Sequence, residues 1–159
     1  SSALFDSFNV EENIAFPLVE NFAWPEWKVE ERVREVLELV EMSGAEKKAP
    51  SDLSGGQKKR IGLARAIAAN PDVMLYDEPT TGLDPILSTN IEDLMVKLND
   101  QLKVTSVIVT HQISTILRTA DKIYLLHNGK LLPPETPDTI YNSDNDYIRK
   151  FIRGGISDK

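Results

Sequence analysis

Two short apolar runs separated by a helical pattern constrain the fold most. The runs DVMLYDEP (72–79) and TSVIVTH (105–111) are consecutively apolar, which is typical of strands buried on both faces of a parallel sheet. Between them, residues 85–102 carry apolar side chains at helical spacing: Ile91, Leu94, Met95, Leu98 and Leu102. KIYLLHNGK (122–130) predicts a third strand, with a turn at Asn128-Gly129. Because strands and helices alternate, residues 71–159 are predicted to form a parallel sheet with helical crossovers.

The first part of the chain has a different pattern. Residues 1–27 are rich in aromatic side chains and suggest irregular structure. A helix is predicted from Pro25 to Gly44, because valines and a leucine recur at helical spacing. A second helix is predicted over 56–69 and ends at Asn70-Pro71. We therefore expect a helical region over 1–70 and an α/β region over 71–159, with one or two small helices in its tail.

Composition narrows the classes of function. The formal net charge is −7, which argues against nucleic acid as the main partner. The chain has no cysteine, so disulfides and thiolate metal sites are excluded. Its apolar runs are far shorter than the roughly 20 residues that cross a bilayer.

Polar side chains follow both apolar runs. Asp77 and Glu78 come at the end of the first, and Thr110-His111 at the end of the second. In open parallel sheets, ligands bind outside these carboxyl ends. A carboxylate there can hold a phosphate-bound Mg²⁺, a second can activate water, and a histidine can donate to a terminal phosphate. The alternative is that Asp77 and Glu78 only cap the turn before Pro79.

A second candidate site lies at the start of the 56–69 helix. Ser54 is a good N-cap residue, and Gly55 and Gly56 leave backbone N–H groups accessible at the positive end of the helix dipole. Such an end binds phosphate. The alternative is an ordinary capped helix after a flexible loop.

Taken together, these segments resemble the ABC ATPases. LSGGQ (53–57) is identical to that family's signature motif, VMLYDEP (73–79) is similar to its Walker B strand, TGLD (81–84) to its D-loop, and VTH (109–111) to its switch histidine. The motifs occur in the family's order. The resemblance implies an α/β P-loop NTPase fold, with 1–70 as the helical signature subdomain and 71–159 as the C-terminal part of the RecA-like core.

The resemblance also implies roles and cofactors. The cofactors are ATP and Mg²⁺: Asp77 would hold the Mg²⁺ through water, Glu78 would be the general base, and His111 would contact the γ-phosphate. In this family two subunits form a head-to-tail dimer, here a homodimer. The signature residues and the D-loop would bind or sense the nucleotide of the neighbouring subunit: Ser54, Gly55, Gly56, Gln57 and Asp84.

One family motif does not occur in the sequence. No Walker A phosphate-binding loop is present between Ser1 and Lys159. The resemblance implies that this loop precedes Ser1, and that this chain alone does not hydrolyse ATP.

The opening segment, SSALFDSFNVEENIAFPL, is similar to cassettes of the Mla, or toluene-tolerance, class. That resemblance implies a lipid or organic-solvent transporter with transmembrane permease subunits and an MCE-type substrate-binding protein, at the cytoplasmic face of a bacterial inner membrane. Aromatic side chains of this segment would dock the permease, and Trp24 and Trp27 are the best surface candidates among them. The full set is Phe5, Phe8, Phe16, Phe22, Trp24 and Trp27. The alternative places these rings in the core of the helical subdomain.

Two other functions compete with a transporter ATPase. One is a soluble ABC-type ATPase in DNA repair or translation, for which the acidic balance is unfavourable. The other is an interaction module without catalysis. The basic residues after the signature, Lys58 to Arg60, are expected to form a solvated helix face rather than to act on phosphate.

Overall fold

A computed structural model describes residues 4–154 of the chain. The described chain forms two compact units, one ending at Val109 and one beginning at Thr110. The predicted boundary at residue 70 refers to subdomains of the family and stays a prediction.

The first helix, α1 (Val10–Phe22), lies where irregular structure was predicted. Asn9 and Glu12 form a capping box, and Val10, Ile14 and Leu18 are fully buried at a spacing of four residues. Pro17 lies inside this helix and removes one donor to the preceding turn. The prediction was wrong because the proline and the aromatic residues masked this apolar stripe.

The second helix, α2, spans Glu26–Leu39, with Pro25 as its N-cap residue. The predicted apolar face is buried: Val29, Val33, Val36 and Leu37. The helix ends five residues before Gly44, where the prediction placed its end, because Glu41 already has a left-handed backbone with φ of 58°.

A 3-10 turn at Pro50–Asp52 leads into α3, Gly55–Ala68. This agrees with the prediction of a loop and then a helix to within one residue. Helices α1, α2 and α3 share one apolar core, which includes Ile14, Val36 and Ile61. After α3, Asn70 has a φ of 50° and the chain turns into the sheet.

The predicted strand–helix–strand unit is present. Strand β1 (Val73–Asp77) and strand β2 (Thr105–Val109) pair in parallel, with Asp77 opposite Val109. Helix α4, Pro85–Leu102, connects them with the predicted bounds. Its apolar stripe joins the same core as the three preceding helices.

The apolar runs predicted that both strands are buried on both faces, and this prediction was wrong for the described residues. In β1, Met74 and Tyr76 are buried while Leu75 is 78% exposed. Val107 and Val109 of β2 are also exposed. Within the described residues, helices therefore cover one face of this parallel pair.

The second unit contains α5 (Ile113–Thr119), a short hairpin, a 3-10 turn (Ile140–Asn142) and α6 (Asp146–Ile152). The hairpin strands are β3 (Leu126–His127) and β4 (Lys130–Leu131). These two strands pair antiparallel with each other. Residues 122–130, predicted as the third strand of the parallel sheet, therefore contribute to this hairpin in the described structure. The predicted turn is confirmed, since Asn128 and Gly129 have positive φ values of 49° and 74°.

A small isoleucine core holds this unit together: Ile116, Ile123, Ile140, Ile148 and Ile152. One or two small helices were predicted in the tail, and the structure has one 3-10 turn and one α-helix, α6, there. Across residues 4–154, every helix is too short or too polar to traverse a bilayer.

Candidate functional site

The carboxyl end of β1 carries the two predicted acids. Asp77 is the last residue of the strand, and its side chain is exposed. The backbone N–H of Glu78 donates to the carbonyl oxygen of Val109 at 2.9 Å, so pairing with β2 continues one residue beyond the strand. Both carboxylates therefore occupy the sheet edge where ligands bind in open parallel sheets.

Glu78 has a strained backbone. Its φ of 46° lies in the left-handed region, which is uncommon for residues other than glycine. Its carbonyl oxygen accepts from the Lys59 ammonium at 3.2 Å and from the Thr81 N–H at 3.3 Å. Its carboxylate Oε2 accepts from the Thr81 hydroxyl at 2.9 Å. Strain of this kind persists only where surrounding contacts determine it, and it is concentrated at functional sites.

The signature residues form the N-terminus of α3. Ser54 is the N-cap residue, as predicted, and its hydroxyl accepts from the Gln57 N–H at 3.3 Å. The Gln57 side chain accepts in return from the Ser54 N–H at 2.9 Å. The following N–H groups belong to Gly55 and Gly56, in the first turn, where a helix has no carbonyl partners of its own.

The signature glycines face Leu83 of the D-loop and Leu87 in the first turn of α4. A Cβ atom built on Gly55 would lie 3.5 Å from Leu83 Cδ2, and one on Gly56 would lie 3.7 Å from Leu87 Cδ2. Both distances are ordinary van der Waals contacts, and neither glycine has a positive φ. The described chain therefore accommodates alanine at both positions, so packing and backbone geometry do not require glycine there.

Asp84 has an evident structural task. Its Oδ1 accepts from the N–H groups of Ile86 and Leu87, both at 2.9 Å, and so caps α4. Gly82 precedes it with a φ of 84°, which favours glycine in this tight turn. Asp84 therefore caps α4 in the structure. Its role at the nucleotide of a second subunit stays a prediction.

The basic residues after the signature are not a simple solvated face, and that prediction was wrong. Lys59 is half-buried, and burial lowers the pKa of its ammonium, against the opposing effect of Glu78. Arg60 donates through Nη1 to the Val40 carbonyl at 2.8 Å and to Glu41 at 2.9 Å. The sequence did not predict the contacts of Lys59 and Arg60, because their partners lie on other elements of the fold.

The two histidines belong to the second unit. His111 is exposed and lies two residues after β2, between that strand and α5. His127 stacks on the ring of Tyr147, with ring centroids 3.8 Å apart, which is a packing contact within the second unit.

The acids at the end of β1 fit a nucleotide-bound Mg²⁺. No group of three or more acidic or histidine side chains with ligand geometry occurs within residues 4–154. Nucleotide-bound Mg²⁺ does not need one, because it takes one or two carboxylates and completes its shell with phosphate oxygens and water. An exposed Asp77 at the strand end meets that requirement.

The aromatic residues of the opening segment are divided between surface and core. Trp27 is 65% exposed at the start of α2, while Trp24 packs against the core, with Lys28 Nζ 3.9 Å from its ring centre. Phe5, Phe8 and Phe16 form a cluster of tilted rings. Beside this cluster lies an open groove of about 340 Å³, lined by Phe5, Phe16, Pro17, Arg65, Ala66 and Ala69.

Comparisons with known proteins agree with these motifs. The family model described as ABC transporter matches residues 1–81. The methionine import ATP-binding protein MetN 1 of Staphylococcus epidermidis is 37% identical, over 96% of this chain and 45% of its own length. The intermembrane phospholipid transport system ATP-binding protein MlaF of Haemophilus influenzae is 38% identical, over 97% of this chain and 58% of its own. The chain spans about half the length of the curated relatives it matches.

A solved structure shows the same fold. CbiO1 from Clostridium perfringens, described as part of the ABC transporter complex CbiONQ, superposes with a TM-score of 0.80 at 30% identity, covering 93% of this chain and 58% of that one. The α/β arrangement described here is therefore part of the ABC ATPase fold, within the P-loop NTPases. The chain belongs to the ABC transporter family, among its ATP-binding subunits.

Proposed function

We propose that this chain is part of a subunit that binds and hydrolyses ATP to drive a membrane transporter. The observation that carries the proposal is the carboxyl end of β1, where Asp77 is exposed and Glu78 is held in a left-handed turn. Two carboxylates at this edge, on an ABC ATPase fold, suit a phosphate-bound Mg²⁺ and an attacking water.

Each acid has a separate role in the proposal. Asp77 would hold Mg²⁺, and the ion would supply charge neutralisation to the phosphates. Glu78 orients the attacking water and accepts its proton. His111 contacts the γ-phosphate, a role that rests on the likeness of Val109-Thr110-His111 to the family's switch motif.

The signature residues serve a second nucleotide. Ser54, Gly55, Gly56 and Gln57 would bind the ATP of a neighbouring copy through the first-turn N–H groups of α3, and Asp84 would sense it through the D-loop. The geometry that supports this is the capped N-terminus of α3, where Gly55 is exposed. ATP would therefore hold two copies together head to tail, and hydrolysis would release them.

The decisive experiment replaces the proposed base. In the gene product at its full encoded length, Glu78→Gln is expected to lower steady-state phosphate release from Mg²⁺-ATP about 100-fold or more, because general bases contribute 10²- to 10⁴-fold. Binding of ATP should be retained. Glu38→Gln, an exposed glutamate of α2, is the matched control and should stay within about twofold of wild type. Turnover near wild type in Glu78→Gln would contradict the assignment.

The cargo we propose is a lipid, carried with a permease and an MCE-type binding protein at the cytoplasmic face of an inner membrane. The opening segment's likeness to the Mla class supports this, and one relative is named for phospholipid transport. Another relative of similar identity is named for methionine import. With the purified complex, phospholipid in mixed micelles should stimulate ATPase activity and methionine should not. The reverse result would assign an amino-acid transporter.

A further inference from the structure

A hydrogen bond joins the signature helix to the turn that carries Glu78. The Lys59 ammonium, in the second turn of α3, donates to the Glu78 carbonyl oxygen at 3.2 Å, across 19 residues of sequence. Lys59 is half-buried, and burial lowers the pKa of its amine. A partly desolvated ammonium needs a fixed acceptor, and this carbonyl provides one.

The same carbonyl lies in the most strained part of the site. Glu78 is followed by Pro79, and a residue before proline normally adopts an extended backbone. Its φ of 46° departs from that preference. Thr81 supports the turn from the chain itself, through its N–H to the Glu78 carbonyl and its hydroxyl to the carboxylate. Lys59 approaches the same peptide from another element, so it ties the turn to α3.

The neighbouring basic residues make no comparable contact. Arg60 is directed to Val40 and Glu41, near the end of α2. Within the described part of the chain, Lys58 is half-buried and its side chain takes part in no hydrogen bond or ion pair. Of these three cations, Lys59 is the one in contact with Glu78.

We propose that Lys59 is a positioning residue for the general base: it fixes the Glu78–Pro79 peptide and thereby the direction of the Glu78 carboxylate. The inference rests on the proposed role of Glu78. Its consequence is a mechanical link between the helix whose N-terminus would receive one ATP and the turn that would activate water for another. A shift of α3 would move the Glu78 carbonyl through this bond.

The test measures steady-state hydrolysis of Mg²⁺-ATP by the gene product at its full encoded length. Lys59→Met removes the donor and keeps the length of the side chain. We expect kcat to fall about tenfold, with KM for ATP within about twofold, because the water-activating group loses its orientation while nucleotide binding is retained. Lys59→Arg keeps a cationic donor and should retain about half of wild-type kcat or more. Lys58→Met makes the same change of charge one residue away and should leave kcat within about twofold.

A second readout separates positioning from stability and from phosphate binding. The thermal unfolding midpoint of Lys59→Met should stay within about 3 °C of wild type. In the Glu78→Gln background, Lys59→Met should not change ATP-driven association of subunits, and it should lower the residual turnover no further. If association weakens there, Lys59 acts on phosphate and the proposal is wrong.

The remaining outcomes are also decisive. A wild-type kcat in Lys59→Met, with Glu78→Gln inactive, overturns the positioning role and leaves the proposed function intact. An active Glu78→Gln overturns the proposed base and this inference together. Should Lys59→Met fail to fold, Lys59→Gln is compared with Lys58→Gln: a selective loss of kcat in the former supports the proposal, and equal values overturn it.

Discussion

The guanidinium of Arg32 donates through Nε to the carbonyl oxygen of Ala68 at 3.0 Å, which joins α2 to the end of α3. Its Nη2 also donates to Ile67 O at 2.8 Å and contacts the side chain of Asn70. Arg32 is buried, and Nη1 pairs with Glu35 at 2.7 Å. The last carbonyl groups of α3, which a helix cannot satisfy internally, are therefore capped by a side chain from another helix.

Replacement of Arg32 should destabilise the helical part of the chain. Arg32→Met keeps apolar bulk but leaves buried carbonyl oxygens without donors, so we expect a loss of about 2–4 kcal/mol in the free energy of unfolding. Urea unfolding followed by circular dichroism measures it. Arg34→Met is the matched control, because Arg34 is exposed and donates one long bond to Glu30 within the same helix. That variant should change stability by about 0.5 kcal/mol or less.

Asn13 is a second buried polar anchor. It is fully buried on α1, where its amide donates to the carbonyl oxygens of Phe5, Phe8 and Asn9 and its Oδ1 accepts from the Phe5 N–H. Asn13→Asp would direct a carboxylate at these carbonyls, so we expect a loss of about 3 kcal/mol or more. Asn21→Asp, at an exposed site of the same helix, should cost about 0.5 kcal/mol or less. Equal unfolding midpoints in urea would contradict this role of Asn13.

The local signals in the sequence account for part of these results. The spacing of apolar residues over 85–102 predicted α4, and in the structure Asp84 and Pro85 begin it, residue types that favour a helix N-terminus. Ser54 predicted the cap of α3 for the same reason. Pro17 obscured α1, since tertiary burial of Val10, Ile14 and Leu18 outweighs one missing hydrogen bond.

Other features depend on tertiary contacts that no local pattern encodes. A residue before proline is expected to be extended, so the left-handed turn at Glu78 was not predictable from its neighbours. Its contact with Lys59 joins segments 19 residues apart. The apolar run of β1 predicted a strand correctly, but the alternation of its burial depends on which faces other elements cover.

Glu41 gives a pH dependence to the helical part of the chain. Hydrogen bonding from Arg60, and then from Lys97, lowers the pKa of its carboxyl group. The lowered pKa means that the ionised pair stabilises the fold fully above the ordinary glutamate pKa of about 4.3, and that this contribution is lost as pH falls through the lowered value. Because the carboxylate is largely exposed, we expect about 1 kcal/mol or less. Glu41→Gln should therefore lower the free energy of unfolding, measured in urea, more at pH 7 than at acidic pH, whereas Glu38→Gln should show no such difference.

The sequence predicts that aromatic side chains of the opening segment dock a permease, and the groove beside the phenylalanine cluster is the surface on which that prediction can be tested. Phe16→Ser removes one of its aromatic walls at a site that is 37% exposed, so folding should be largely retained. We expect weaker copurification of membrane partners from detergent extracts, because aromatic side chains dominate interface energies. Val19→Ser is the control, since Val19 is exposed on the same helix and does not line the groove. Equal recovery of partners with both variants would place the contact elsewhere.

The variant Gly55→Ala distinguishes an effect on nucleotide binding from an effect on folding. A Cβ atom added at this position meets Leu83 at 3.5 Å, an ordinary contact, and alanine is the better helix former. Gly55→Ala should therefore leave the thermal unfolding midpoint unchanged or slightly raised. If the α3 N-terminus binds the phosphate of a second copy, the added methyl group obstructs that approach. ATP-driven association in the Glu78→Gln background, measured by sedimentation, should then weaken by about tenfold or more in apparent Kd, or about 1.4 kcal/mol. Unchanged association with unchanged stability would show that this helix end does not contact the nucleotide.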